Sequence, residues 1–155
     1  MKLPPALSNR LLWLEIWLSL GFARFLVKYV RFGRWRAMLG PLDDEPAPQD
    51  LPQLPPQKRK QAADLGRKIE RIASRPRLFR AVCLPRAMAG RWVLGRRGIP
   101  TRVVIGSRRP GETDGYMFHA WLIAGDVVVT GASERADYLA LRKSRPADLA
   151  TSNGD

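Results

Sequence analysis

Between positions 41 and 57 the chain reads PLDDEPAPQDLPQLPPQ, six prolines and four acids in 17 residues. Proline fixes φ and lacks a backbone donor, so this run can join neither a helix interior nor the middle of a sheet. It therefore reads as an extended connector, long for a compact domain, that wraps the surface or serves as a docking strip. The full length of 155 residues allows one ordinary domain. We expect a single domain over residues 1–155, with a helical segment at 8–39, the connector at 41–57, a core at 58–141 and a tail frayed over 144–155.

Ahead of the connector, residues 11–30 are largely apolar, and with Lys2 and Arg10 before them they look superficially like a signal peptide. Glu15, Arg24 and Lys28 interrupt the run and no small-residue cleavage site follows, which argues against both a signal peptide and a membrane span. We read Ser8 as an N-cap and residues 9–39 as helix, with Gly21 and Gly33 the places where it would break. At 100° per residue Arg24, Lys28 and Arg31 share one face while Glu15 and Ser19 point the other way. The first half is apolar nearly all round, which suits a core helix; the sharper alternative is that Trp13, Trp17 or Phe22 docks a partner or a membrane surface.

After the connector, Ala62, Leu65, Ile69 and Ile72 recur at helical spacing, predicting a helix over 58–74 that Pro76 stops. A second apolar periodic stretch spans 78–97, with Gly98 in the C′ position. The remaining third changes period: strands are predicted at 101–107, 116–124, 127–131 and 138–141, with Gly125-Asp126 as a hairpin turn. Helices first and an antiparallel sheet last make the fold class α+β, helices packed on a small C-terminal sheet.

Composition narrows the chemistry. The chain carries 27 Lys+Arg against 14 Asp+Glu, a formal +13, which would suit nucleic acid, an anionic membrane face or an acidic peptide, or reflect no more than a solvated arginine-rich surface. No DNA-reading motif accompanies it and the aromatics lie in apolar runs, so nucleic acid is not the expected partner. At 45% hydrophobic the chain is not a disordered basic tail. One cysteine and one histidine exclude an intrachain disulfide and a Cys/His zinc cage. We expect a cytoplasmic protein with no transmembrane segment, no metal and no cofactor.

Those two residues stand in telling places. Pro85 is at home only in the first turn of a helix, so the helix must begin at about Cys83. There the macrodipole and unpaired N–H groups favour a thiolate and can hold an oxyanion, and Arg80 and Arg86 add positive field. Taken alone, a free cysteine is usually a small buried hydrophobe. His119 opens the strand HAWLIAG, and a Cys at a helix start facing a His at a strand start is the arrangement of a thiolate–imidazolium pair. Such pairs usually have a third polar group that orients the imidazole. Asp126 fails in that role, because a strand rising about 3.3 Å per residue puts the turn roughly 17 Å away. Across the hairpin His119 faces Gly131 or Ala132, according to whether the turn has three residues or two. Thr130, Glu134, Asp137, Asp114 or a backbone carbonyl remain open for the third role.

The strings CLPRAMAGRWVLGRRGIPTRVVIG (83–106) and FHAWLIAGDVVVTG (118–131) resemble the leader peptidases of lasso-peptide biosynthesis, the B proteins, which are transglutaminase-like cysteine proteases. The tryptophan-rich opening segment that ends in WRAMLG is similar too, so the resemblance covers about residues 8–140. It implies a transglutaminase/papain-like core, Cys83 as nucleophile and His119 as general base and acid. It also implies a precursor peptide as substrate, a separate leader-recognition protein and a lasso cyclase as partners, with the acidic connector and basic helices as docking surfaces. The acid that family often carries about a dozen residues after the His falls here on Gly131, a departure from the pattern. Two other functions compete: an acyltransferase on the same core, and a basic non-enzymatic adaptor for nucleic acid or acidic proteins.

Overall fold

A computed structural model of the chain describes residues 5–40, 52–75, 83–108, 117–133 and 139–140. The fold is α+β. Helices α1 (Pro5–Tyr29), α2 (Phe32–Trp35), a 3₁₀ turn (Arg36–Leu39), α3 (Pro56–Ala73) and α4 (Cys83–Gly95) precede strands β1 (Arg102–Arg108), β2 (Met117–Ala124), β3 (Val127–Thr130) and β4 (Leu139–Ala140). The strands form one antiparallel sheet in the order β3-β2-β1-β4. Residues 41–51 of the connector, Pro76, Arg80, the 109–116 loop and the tail beyond 140 lie outside the described residues. No helix among the described residues is long and apolar enough to cross a membrane.

The N-terminal segment differs from its predicted form. The helix begins at Pro5, whose preset φ suits a first turn, so Ser8 lies inside that turn instead of capping it. It runs through Gly21 and stops at Tyr29, ahead of Gly33, which falls within α2. Trp35 explains the break. Its side chain is 4% exposed and its Nε1 donates to the Val30 carbonyl at 3.0 Å, so the chain turns back at Arg31 to bury the indole. Along α1, Ile16, Leu20, Ala23 and Leu26 form one buried stripe, while Leu7, Leu11, Leu14, Leu18, Phe22, Phe25 and Tyr29 form a second that stays exposed. Their spacing of three and four residues sets them in one line down the helix.

Helix α3 starts at Pro56, two residues before the predicted Lys58, again with proline in the first turn. Helix α4 is packed between α1 on one side and the sheet on the other, with Ala87, Met88, Ala89, Val93 and Leu94 fully buried. Its end is closed as predicted around Gly98, where the Ile99 N–H donates to the Leu94 carbonyl at 3.1 Å. Lys58 Nζ adds hydrogen bonds to the carbonyls of Arg97 and Gly98 at 2.7 and 3.1 Å, a cation on the negative helix end. The sheet turns Val103, Ala120, Leu122, Ala124 and Val129 toward the helices. Val104, Trp121, Ile123 and Val128 form a separate cluster on its other face.

The β2–β3 hairpin turns at Gly125-Asp126 as predicted, and of the two lengths left open it has two residues, Ala124 pairing with Val127. A bulge next to Leu122 and Ile123 then adds one residue to β3, so that Leu122 pairs with Thr130. Carried one step further, this register sets Gly131 beside Trp121, where a Cβ on Gly131 would lie 3.0 Å from Trp121 Cβ. Thus His119 stands diagonal to Gly131 and directly faces neither Gly131 nor Ala132. A bulge is a tertiary decision that turn length alone does not reveal.

Two features of this packing are open to measurement. Glu15 on α1 accepts from Arg97 Nη2 at 2.6 Å and from Arg96 Nε at 2.7 Å. The Arg97 hydrogen bond, opposed by burial and helped by Arg96, holds the Glu15 carboxyl below its ordinary value. A lowered carboxylate stabilises the fold above the ordinary glutamate range and loses that contribution as pH falls through the lowered value. Glu15→Gln is therefore expected to cost about 1 kcal/mol at neutral pH, with the Tm values of variant and wild type converging in acid. At Gly66 of α3 a Cβ would lie 2.3 Å from the Val129 carbonyl oxygen of β3. Gly66→Ala should gain helix propensity and still destabilise the protein by about 1–3 kcal/mol in urea unfolding, because the helix must leave the strand.

Candidate active site

Cys83 opens α4, and Pro85 two residues later shows why the helix starts there: proline interrupts no hydrogen bond in a first turn. The thiol is half-buried. Its Sγ lies 4.0 Å from the carbonyl oxygen of Phe118 in β2. The next residue is His119, so the single cysteine lies against the strand residue that precedes the single histidine.

His119 is 3% exposed, and its ring lies over Trp121 with 6.0 Å between centroids and 24° between planes. Nε2 faces the carbonyl oxygen of Gly131 at 3.4 Å. A carbonyl can only accept, so a hydrogen bond in this contact requires the tautomer with its proton on Nε2 and its lone pair on Nδ1. An imidazole held in that tautomer can take a proton at Nδ1 and return it.

Gly131 gives this contact its shape. Its φ is +78°, the left-handed region where glycine meets no penalty. A Cβ there would lie 2.9 Å from His119 Nε2 and 3.1 Å from the Ala120 carbonyl oxygen. The position where the resemblance places an acid thus points at the imidazole, but a side chain there would sit in a strained backbone conformation and crowd the ring and the Ala120 carbonyl. Of the acceptors weighed for the third role, a backbone carbonyl, that of Gly131, faces the ring among the described residues. Thr130 Oγ1 is buried with no hydrogen-bond partner among the described residues. Asp126 is paired with Arg59 at the hairpin turn. Asp114, Glu134 and Asp137 lie outside the described residues.

One residue at the site escaped the sequence reading. Glu70 of α3 accepts from the Gly131 N–H through Oε1 at 3.0 Å, and from Arg86 Nη1 through Oε2 at 3.1 Å. Arg86 was expected to add to the positive field at the thiol; here it is partly neutralised by this carboxylate. The available signal was weak: Glu70 follows Gly66 by one helical turn, beside the buried Ile69 and Ala73. An acid at that border in a helix rich in lysine and arginine reads as an ordinary surface residue.

Cys83 is thus the first residue of α4 and His119 the third of β2. Neither a curated protein nor a solved structure matches the chain. Residues 26–143, which include every strand and both Cys83 and His119, match the transglutaminase-like superfamily, and the chain belongs to it.

Proposed function

We propose that this protein is a cysteine peptidase that removes the leader from a ribosomally made lasso-peptide precursor. The observation that carries the reading is the contact of Cys83 Sγ with the Phe118 carbonyl of β2, one residue before His119, whose Nε2 faces a main-chain acceptor. Membership of the superfamily supports thiol-based acyl chemistry, and the strings around Cys83 and His119 support the leader peptidases within it.

In this mechanism His119 Nδ1 takes the thiol proton and the sulfur attacks the carbonyl carbon that precedes the core peptide. The oxyanion forms at the N-terminal end of α4, where first-turn N–H groups have no partner within the helix. The imidazolium then protonates the departing amine, the C–N bond breaks, and the leader remains as a thioester on Cys83. Water, deprotonated by the imidazole, hydrolyses the thioester to release the leader carboxylate and restore the thiol. The freed amine is the group that a partner cyclase would join to a side-chain carboxylate in closing the macrolactam ring.

On this reading a separate recognition protein presents the precursor, and the exposed line Leu7, Leu11, Leu14, Leu18, Phe22, Phe25 and Tyr29 on α1 is the apolar surface available to it.

Incubation of precursor, recognition protein and enzyme, followed by mass spectrometry, should yield free leader. Cys83→Ala should lower that yield by about 10³-fold or more, and wild-type cleavage by Cys83→Ala would sink the proposal. Leu18→Glu should reduce cleavage in the presence of the recognition protein while leaving alkylation of Cys83 by iodoacetamide unchanged. If the variant cleaves at the wild-type rate, α1 is not the docking surface.

A further inference from the structure

We propose that Glu70 is the positioning residue of the site, doing through the main chain what a carboxylate at position 131 would do directly. The proposal rests on the peptidase reading for its kinetic meaning, but its structural content stands apart from it. The imidazole is oriented by a carbonyl at the end of β3, and the recorded pairing of β2 with β3 stops at Thr130. The sheet therefore does not hold Gly131. Glu70 does, by accepting from its N–H at 3.0 Å. Holding that N–H fixes the peptide plane before Gly131 Cα and, with φ at +78°, limits where its carbonyl can point.

Glu70 is itself held on two sides. Four residues earlier, Gly66 brings α3 against the Val129 carbonyl, and across the gap Arg86 Nη1 donates to Oε2 at 3.1 Å. Arg86 lies about one turn from Cys83 on the same helix. One carboxylate thus ties the helix that carries the thiol to the strand end that orients the imidazole. Glu70 and Gly131 line a surface cavity whose other charged groups are Arg67 and Arg71 of α3, and β3 and the turn after it contribute the hydroxyl residues Thr130 and Ser133. Arg67 is paired with Asp64.

Reach and charge can be separated by substitution. Glu70→Gln keeps an acceptor at the same distance and loses the charge; Glu70→Asp keeps the charge and draws the acceptor back by one methylene. Because the chain has one histidine, a long-range ¹H–¹⁵N spectrum reports the tautomer of His119 alone, without any substrate. We expect the Nε2–H form in the wild type, and in Glu70→Ala and Glu70→Asp a mixture richer in Nδ1–H. In the cleavage assay both should lose about 10- to 100-fold in kcat with little change in KM, and Glu70→Gln should recover most of that loss. Gly131→Asp should be slower than wild type, since its Cβ would crowd Nε2.

A folded Glu70→Ala with the wild-type tautomer would overturn the proposal, as would a faster Gly131→Asp enzyme. If Glu70→Ala does not fold, the Gln and Asp variants decide: an impaired Gln beside an intact Asp, or two variants alike, overturns it. If no precursor is cleaved by any form, the peptidase reading fails, and the tautomer spectra still test the role of Glu70.

Discussion

The structure depends on the burial of α4 from both sides. A helix wedged between another helix and a sheet needs small side chains where the layers close, and Ala87, Ala89 and Gly90 supply them in the middle of α4 while Met88, Val93 and Leu94 fill the spaces beside them. Its two ends are held differently. The C-terminal end is held by charge, through Glu15 on Arg96 and Arg97 and Lys58 on the last carbonyls. At the N-terminal end the thiol meets the Phe118 carbonyl and Arg86 meets Glu70. A helix fixed along its whole length can present a reactive group at its start with little conformational freedom, as nucleophilic chemistry requires.

The described acids of the protein serve its internal pairing. Among the described residues every carboxylate is paired with an arginine: Glu15 with Arg96 and Arg97, Asp64 with Arg67, Glu70 with Arg86, and Asp126 with Arg59. The formal +13 counts these paired arginines and the unpaired ones alike. Paired and unpaired arginines are indistinguishable by composition, so the charge could not single out a function. It favours encounter with acidic ligands in general.

Local rules were legible where one residue decides the geometry. Pro85 located the start of α4 at Cys83, Gly98 closed that helix, and Gly125-Asp126 made the hairpin turn. They misled where distant contacts decide. Ser8 looked like a cap, but Pro5 begins the helix earlier; Gly33 looked like a breaker, but burial of Trp35 bends the chain at residues 30 and 31. The β-bulge shifts one strand by a single residue and so changes what lies beside His119, and the run VVVT of β3, with no polar–apolar alternation, carries no sign of it. Glu70 was hidden for the same reason: its partners are 16 and 61 residues away in sequence.

The carbonyl that faces His119 belongs to the main chain, and no point substitution can delete it. Position 131 is consequently constrained by shape and blind to chemical type, whereas the chemistry of the acceptor is exposed to mutation 61 residues upstream, at Glu70. In a lineage with this arrangement, substitution at an active site would leave its trace on the third helix, far from the cysteine and the histidine in the sequence.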